Sequence, residues 1–377
     1  MRIIILLLFI LQCFSGNAQQ EGVIKKFSGT IGKAGIVADI KIIDTTFSGS
    51  YYYVKEMNPL LLRGTLKNSD ITAIEEVNDS ITGSITGKMN GDHSAIKGTW
   101  QNSSGKKSYP FEWKVTQQEG SAVLNVISKQ YNYVWNKNKN GDELGCKTFY
   151  SLCYIIQLSD LQAKKLINDE LLQADVDLTA NDDDLKEAAT EYMDDDSYFY
   201  KEDFDTAYAE ANTAENEQWI NASPQLYQWK KSQTCDVIFN ENNLLALQIY
   251  NEEITGGSHR SLEYIDMVFD LKTGMQLGLD ELFKPGYHDP LNELAKLRLL
   301  SKFKAGSLQQ LEEKGLQLHG GFEVSDNFFI QKNGIVFTYN PNEIAPNSTH
   351  AIEIIIPWSS LQQWINPSGP LAWTLKK

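Results

Sequence analysis

The chain has 377 residues with 34 Lys and Arg against 49 Asp and Glu, a net charge of −15. That length exceeds what one hydrophobic core usually holds, so two or three folding units are expected. The acidic balance argues against nucleic acid and against anionic membrane surfaces as partners, and favours cationic ones. The hydrophobic fraction of 42% and charged fraction of 22% are ordinary for a globular chain, while 17 Tyr and 8 Trp lean toward β structure or recognition surfaces.

The first segment reads as a secretion signal over residues 1–18. Arg2 is a minimal positive region, Ile3–Leu11 is apolar, and Gly16-Asn17-Ala18 offers small residues for cleavage. The apolar run is too short for a transmembrane helix, which needs roughly 20 residues. The rival reading is a lipoprotein signal ending at Cys13, although Gln12 is a poor fit before a lipidated cysteine. Either way the expected location is exported, periplasmic or extracellular. The remaining cysteines, Cys146, Cys153 and Cys235, are odd in number, so an oxidising compartment permits at most one internal disulfide. Cys146 and Cys153 share an expected strand, where seven residues span roughly 23 Å and place the thiols on opposite faces. Buried thiols acting as small apolar groups are the plainer reading.

Residues 21–116 carry a repeat of apolar-x-Gly-(Ser/Thr), at Phe27, Phe47, Leu62, Ile81 and Ile96. Alternating segments and turn pairs such as Asn58-Pro59 and Asn90-Gly91 divide the region into eight strands, near 23–30, 35–43, 47–56, 60–66, 70–77, 80–87, 94–101 and 108–116. An all-β eight-stranded meander follows, either a small barrel or a sandwich. Tyr51, Tyr52, Tyr53 and Trp100 are candidates for a pocket lining or for the wall and core. Residues 117–124 read as a linker.

In residues 125–230, two strands flank the turn Asn136-Lys-Asn-Lys-Asn-Gly141, which lacks the acidic ligands of a calcium loop. Ser159-x-x-Gln162 has the form of a capping box ahead of an amphipathic helix, Leu161–Leu172. Between Asn181 and Ile220 fourteen acidic residues face only Lys186 and Lys201, which gives −12 of the net charge. Leu185, Ala189 and Met193, then Tyr200, Phe204 and Tyr208, fall at helical spacing, so two docked helices are expected, broken at Asp194-Asp195-Asp196. The acidic outer faces could meet a cationic protein, with Trp219, Tyr227 and Trp229 as neighbouring aromatic anchors.

Residues 231–377 alternate hairpins and helices. A strand runs into a Gly256-Gly257 corner, a second strand ends in Asp270-Leu-Lys-Thr-Gly274, and Leu277-Gly-Leu-Asp-Glu-Leu-Phe283 follows. Asp289 and Pro290 open a helix striped by Leu291, Leu294, Leu297 and Leu300; Ser307 opens another. The final hairpin and strand lie at Phe328–Tyr339 and Ala351–Ile356. None of the five histidines has metal-binding spacing, and neither a phosphate loop nor a Cys-x-x-Cys pair occurs, so no catalytic residue, metal or cofactor is expected. Ser258 beside His259 lacks the orienting acid and oxyanion hole that a hydrolase requires.

The residues Thr255, Gly256, Gly257, His259, Asp270, Leu271, Gly274, Leu277, Leu279, Asp280, Leu282 and Phe283 form one signature. Ile335–Tyr339, Glu343-Ile-Ala-Pro346 and Ile356-Pro-Trp358 form a second. Together they resemble the extracytoplasmic C-terminal domain shared by RsiV-type anti-sigma factors and PdaC-type peptidoglycan deacetylases. Asn342 and Ser258 depart from its usual Tyr and Ala. The resemblance implies an α+β module, with 125–230 as a companion segment and 231–377 as the C-terminal domain, fused to the β meander. It gives Gly256, Gly257, His259, Asp270, Gly274, Glu343 and Pro346 structural roles and carries over no active site. The deacetylase and sigma-binding parts of those relatives are absent. It therefore implies a non-catalytic cell-envelope binding protein. The partner would be lysozyme, as in the sensor branch, or another cationic envelope protein. Cell-wall glycan and an uncharacterised envelope hydrolase are the alternatives.

Overall fold

The computed structural model describes residues 19–77, 80–211, 217–257, 260–346 and 350–375. The expected secretion signal over residues 1–18, with Cys13, and also Ser258 and His259 lie outside the described residues. Eight antiparallel strands come first: β1 (Gln20–Ile31), β2 (Ala34–Ile43), β3 (Thr46–Tyr53), β4 (Pro59–Lys67), β5 (Asp70–Val77), β6 (Ser80–Met89), β7 (Ala95–Asn102) and β8 (Ser108–Val115). Each pairs with the next, and Phe27–Ile31 of β1 pairs with Phe111–Val115 of β8, so the meander closes as a barrel and not a sandwich. Closure removes the open edges that a meander would otherwise expose.

Inward side chains fill this barrel. Phe27, Phe47, Leu62 and Ile96, the apolar members of the repeat, are all 0% exposed, and the glycines two residues on let neighbouring strands close in. A Cβ on Gly98 would sit 2.1 Å from the Thr86 carbonyl oxygen. The repeat at Ile81 is a correction. A bulge between Glu75 and Glu76 shifts the register, Ile81 is 55% exposed, and Ile85-Thr86-Gly87 takes the structural place. Tyr51 belongs to the core, whereas Tyr52 points outward. Buried Glu75 accepts hydrogen bonds from Tyr51, from Thr82 Oγ1 at 2.6 Å and from Trp100 Nε1 at 2.7 Å.

The N-terminal part of β1, Gln20–Ile24, leaves the closed region and pairs with β9 (Val123–Lys137), so the sheet continues without interruption into the rest of the chain. β9 forms a long hairpin with β10 (Glu143–Gln157). Next come α1 (Leu161–Leu172), α2 (Asp182–Ala211) and α3 (Glu217–Ala222), a crossover that returns to β11 (Gln228–Glu241), parallel to β10. Parallel neighbours require such a connection, and its helices cover the sheet. β12 (Leu244–Ile254) and β13 (Arg260–Asp270) complete the sheet. Leu245, Leu247 and Ile249 of β12 join the core shared with Ile167 and Leu171 of α1, while Leu244 and Ala246 join the C-terminal core.

That C-terminal layer comprises α4 (Leu279–Leu282), α5 (His288–Lys302), α6 (Leu308–Glu313) and the sheet β14 (Phe328–Gln331), β15 (Gly334–Tyr339) and β16 (Ile352–Pro357). The whole is α+β. Three local expectations shift. Asp160 and not Ser159 caps α1, its Oδ1 accepting from Ala163 N at 2.8 Å. Asp289 lies in the first turn of α5 instead of capping it. The buried stripe of α5 is Leu291, Ala295 and Leu299, with Leu297 58% exposed, because its many leucines permit more than one stripe.

Barrel, main sheet and C-terminal layer meet at buried Glu241. It accepts from Tyr52 OH at 2.8 Å and from Lys332, and lies 3.9 Å from Lys26 Nζ, which pairs with Asp39 at 2.7 Å. Edge strand β13 is covered by two side-chain amides. Asn340 and Asn327 accept from the backbone N–H groups of Tyr264 and Asp266, each at 2.7 Å, and donate back to the Tyr264 carbonyl.

Candidate functional site

Helix α2 is 30 residues long and runs unbroken through Asp194-Asp195-Asp196, where the sequence suggested an interruption. Two features remove the need for a break. The buried series Leu185, Ala189, Met193, Ser197, Tyr200, Phe204 and Tyr208 keeps helical spacing throughout, and two of the three aspartates are matched by cations from the sheet. Asp194 receives Lys129 and Tyr131. Asp196 receives Lys231 Nζ at 2.7 Å and Tyr150 OH at 2.6 Å. Partial burial raises the Asp194 carboxyl, but the bonds from Lys129 and Tyr131 outweigh it and hold the group below its ordinary range. At the N-terminus, Asn181 and Asp184 bond reciprocally: Asn181 Oδ1 accepts from Asp184 N at 3.2 Å, as well as from Asp183 N at 2.8 Å, and Asp184 Oδ2 accepts from Asn181 N at 2.8 Å. Such a cap contributes about 1 kcal/mol, and the acids of the first turn add a favourable dipole interaction.

The outer face differs. Glu187, Glu191, Asp195 and Asp203 are exposed and, among the described residues, form no salt bridge. Midway along it stand Tyr198 and Phe199, 55% and 64% exposed, their rings edge-to-face with centroids 5.7 Å apart. Two adjacent aromatics left in water on a helix whose other face is packed form an uncommon surface feature. Their signal in the sequence is that positions 198 and 199 fall between the buried positions 197 and 200.

The expected anchors lie elsewhere. Trp229 packs its ring on Tyr200 and Phe204 at 5.8 and 5.6 Å, and Tyr227 stands edge-on to Tyr208 at 5.5 Å. Both are half-buried and pack against the core beneath the C-terminal half of α2, not on its outer face. Trp219 lies in the α3 backbone, its side chain outside the described residues. Trp229 also borders a groove of about 260 Å³ with Tyr133, Glu143, Lys147, Gln228 and Lys230.

Gly256 adopts φ +104, and a Cβ there would sit 2.5 Å from the Leu226 carbonyl oxygen. Gly274, at φ +75, lies against α1, 2.7 Å from Ala163 Cα by the same measure. These corners need glycine for conformation and for proximity alike. Gly257 is also at positive φ, and Asp270 Oδ1 accepts from Lys272 N at 2.8 Å within its turn. Glu343 sits exposed in the turn after β15, its carboxyl raised by partial burial, and Pro346 follows. Asn138, in the Asn136–Gly141 turn, accepts from the backbone of Asn140 and Asp142, each at 2.9 Å.

Residues 280–359 match a family model described as "Protein of unknown function (DUF3298)". That span contains the second signature and only the end of the first. The chain is similar to the crystal structure of a DUF3298 family member from Bacteroides fragilis, at 24% identity and TM-score 0.55, over 68% of this chain and 98% of that one. It is also similar to a DUF3298 family protein from Pseudomonas aeruginosa PAO1, at 13% identity and TM-score 0.41, over 65% of this chain and 95% of that one. No curated protein matches the sequence. Among the described residues, no helix is long and apolar enough to cross a membrane.

Proposed function

We propose that the protein is a non-catalytic binding protein of the cell envelope that docks a cationic protein on the outer face of α2. The observation that carries this reading is the exposed Tyr198–Phe199 pair set within a face whose charges are acidic. Acids of one sign along a long helix accelerate encounter with a basic surface and reject acidic ones. Aromatic anchors at the centre of the patch supply the short-range affinity that screened charges cannot. The partner class is a small, strongly basic protein, with lysozyme as its representative.

Titration calorimetry of the whole protein against lysozyme tests the reading. Heat is expected at low ionic strength, with affinity falling steeply as salt shortens the Debye length to about 8 Å near physiological strength. The Tyr198→Ala/Phe199→Ala variant should lose roughly 10-fold or more in affinity, the scale of a single hot-spot residue. An absence of heat at low salt refutes lysozyme as partner, and binding unchanged in the double variant refutes the face. A second reading, cell-wall glycan, is favoured by the groove beside Tyr133 and Trp229. Muropeptide binding there would be nearly indifferent to salt and to the α2 variant.

A further inference from the structure

Cys153 and Cys235 lie 82 positions apart on the neighbouring parallel strands β10 and β11. The ladder between those strands is registered as far as Ser151 with Thr234; Cys235 is the next residue on β11 and Cys153 the second on β10, an offset of one position. Strands about 4.8 Å apart with a rise of about 3.3 Å per residue put the two Cα atoms about 6 Å from each other. A disulfide spans Cα separations of roughly 4.4–6.8 Å. The Cys153 thiol donates to the Cys235 carbonyl oxygen at 3.1 Å, and both side chains are 2% exposed within one apolar cluster. Both are free thiols, as is Cys146, which packs instead in a different cluster with Tyr200 and Phe204 beneath α2.

A partly buried cation faces the pair. Lys41 Nζ donates to the same Cys235 carbonyl at 3.1 Å and pairs with Asp236. The neighbouring Cys235 thiol and burial together hold the Cys153 thiol well above the usual cysteine range. A thiolate is the species that reacts, so in the finished fold the Cys153 thiol exchanges slowly. The reactive window comes earlier, while β10 and β11 are still closing.

We infer that Cys153 and Cys235 are a disulfide-forming pair, joined when the chain folds in the presence of a small-molecule or protein disulfide as oxidant. One cysteine, as thiolate, attacks the reagent disulfide and expels one reagent thiol. The second attacks the resulting mixed disulfide and expels the other. The two protein thiols thus lose two protons and two electrons, and one reagent disulfide becomes two thiols. The bond closes the crossover that contains α1, α2 and α3, tying both ends of the helical layer to adjacent strands. It restricts the unfolded chain over a long loop, where such a constraint has most effect. This inference stands independently of what binds to α2.

The test is to refold the whole protein from denaturant in a buffer of oxidised and reduced glutathione, trap free thiols by acid and alkylation, and map the peptides. The Cys153 and Cys235 peptides should be recovered joined, two hydrogen masses lighter than their sum, with Cys146 alkylated. Cys146→Ser should keep the bond, and Cys235→Ser should return Cys153 as an alkylated thiol. The oxidised protein should melt several degrees above the same protein reduced. Cys153 and Cys235 both recovered alkylated after refolding, or a bond that includes Cys146, would overturn the pairing. Identical melting of the two forms would overturn the tethering.

Discussion

Replacing Asp266 with Asn should stabilise the protein at neutral pH. Asp266 is 6% exposed on β13 and faces the C-terminal sheet. Its carboxylate accepts from Gln248 Nε2 at 2.9 Å and from Thr338 on β15. Burial raises the carboxyl from 3.8 to about 6, the hydrogen bonds from Thr338 and Gln248 offsetting only part of that effect. A carboxyl raised in the folded state binds its proton more tightly there than in the unfolded chain. Its contribution is therefore fully present below about pH 4, falls as the pH rises toward about 6, and stays lost above that. The deficit at pH 8 is about 3 kcal/mol. Asparagine keeps the shape, accepts from Gln248 and donates to Thr338, without a charge to desolvate. Urea unfolding at pH 8 should show the variant more stable by about 3 kcal/mol, declining to about 2 kcal/mol at pH 5.5 as the native carboxyl takes up its proton. A variant less stable than the parent at pH 8, or an advantage that does not shrink on acidification, would refute the reasoning.

Glu241→Ala leaves the Lys26 and Lys332 ammonium groups with one buried carboxylate, Asp39, between them, and should cost about 3–5 kcal/mol in chemical denaturation. Gly256→Ala combines a strained φ with a collision at the Leu226 carbonyl and should lower stability by roughly 1–3 kcal/mol, measured the same way. A fragment of residues 19–119 should fold by itself as the β barrel, because Phe27, Phe47, Leu62 and Trp113 pack in a core supplied wholly by that stretch; dispersed amide resonances are the readout. Trp100→Phe should weaken the barrel by about 1–2 kcal/mol, since buried Glu75 loses the indole donor and keeps only Tyr51 and Thr82.

The eight barrel strands were legible because period-two alternation and turn residues are local, and the observed strands overlap the expected ones throughout. The place of Ile81 was not, since a bulge between Glu75 and Glu76 changes which face a residue takes without changing the residues themselves. The hydrophobic stripe of α2 could likewise be read in the sequence. Its continuity could not, because the cations that settle Asp194 and Asp196, Lys129 and Lys231, come from strands distant in the chain. The sequence by itself determined the strand count, the acidic character of α2 and the glycine corners, each set by short-range sterics or by charge. Tertiary structure alone decided that β1 closes on β8, that Tyr227 and Trp229 pack against the core under α2 while Tyr198 and Phe199 stay in water, and that Cys235 comes beside Cys153. Each of those outcomes depends on which surfaces are brought face to face across a long stretch of chain, and periodicity carries no information about the partner.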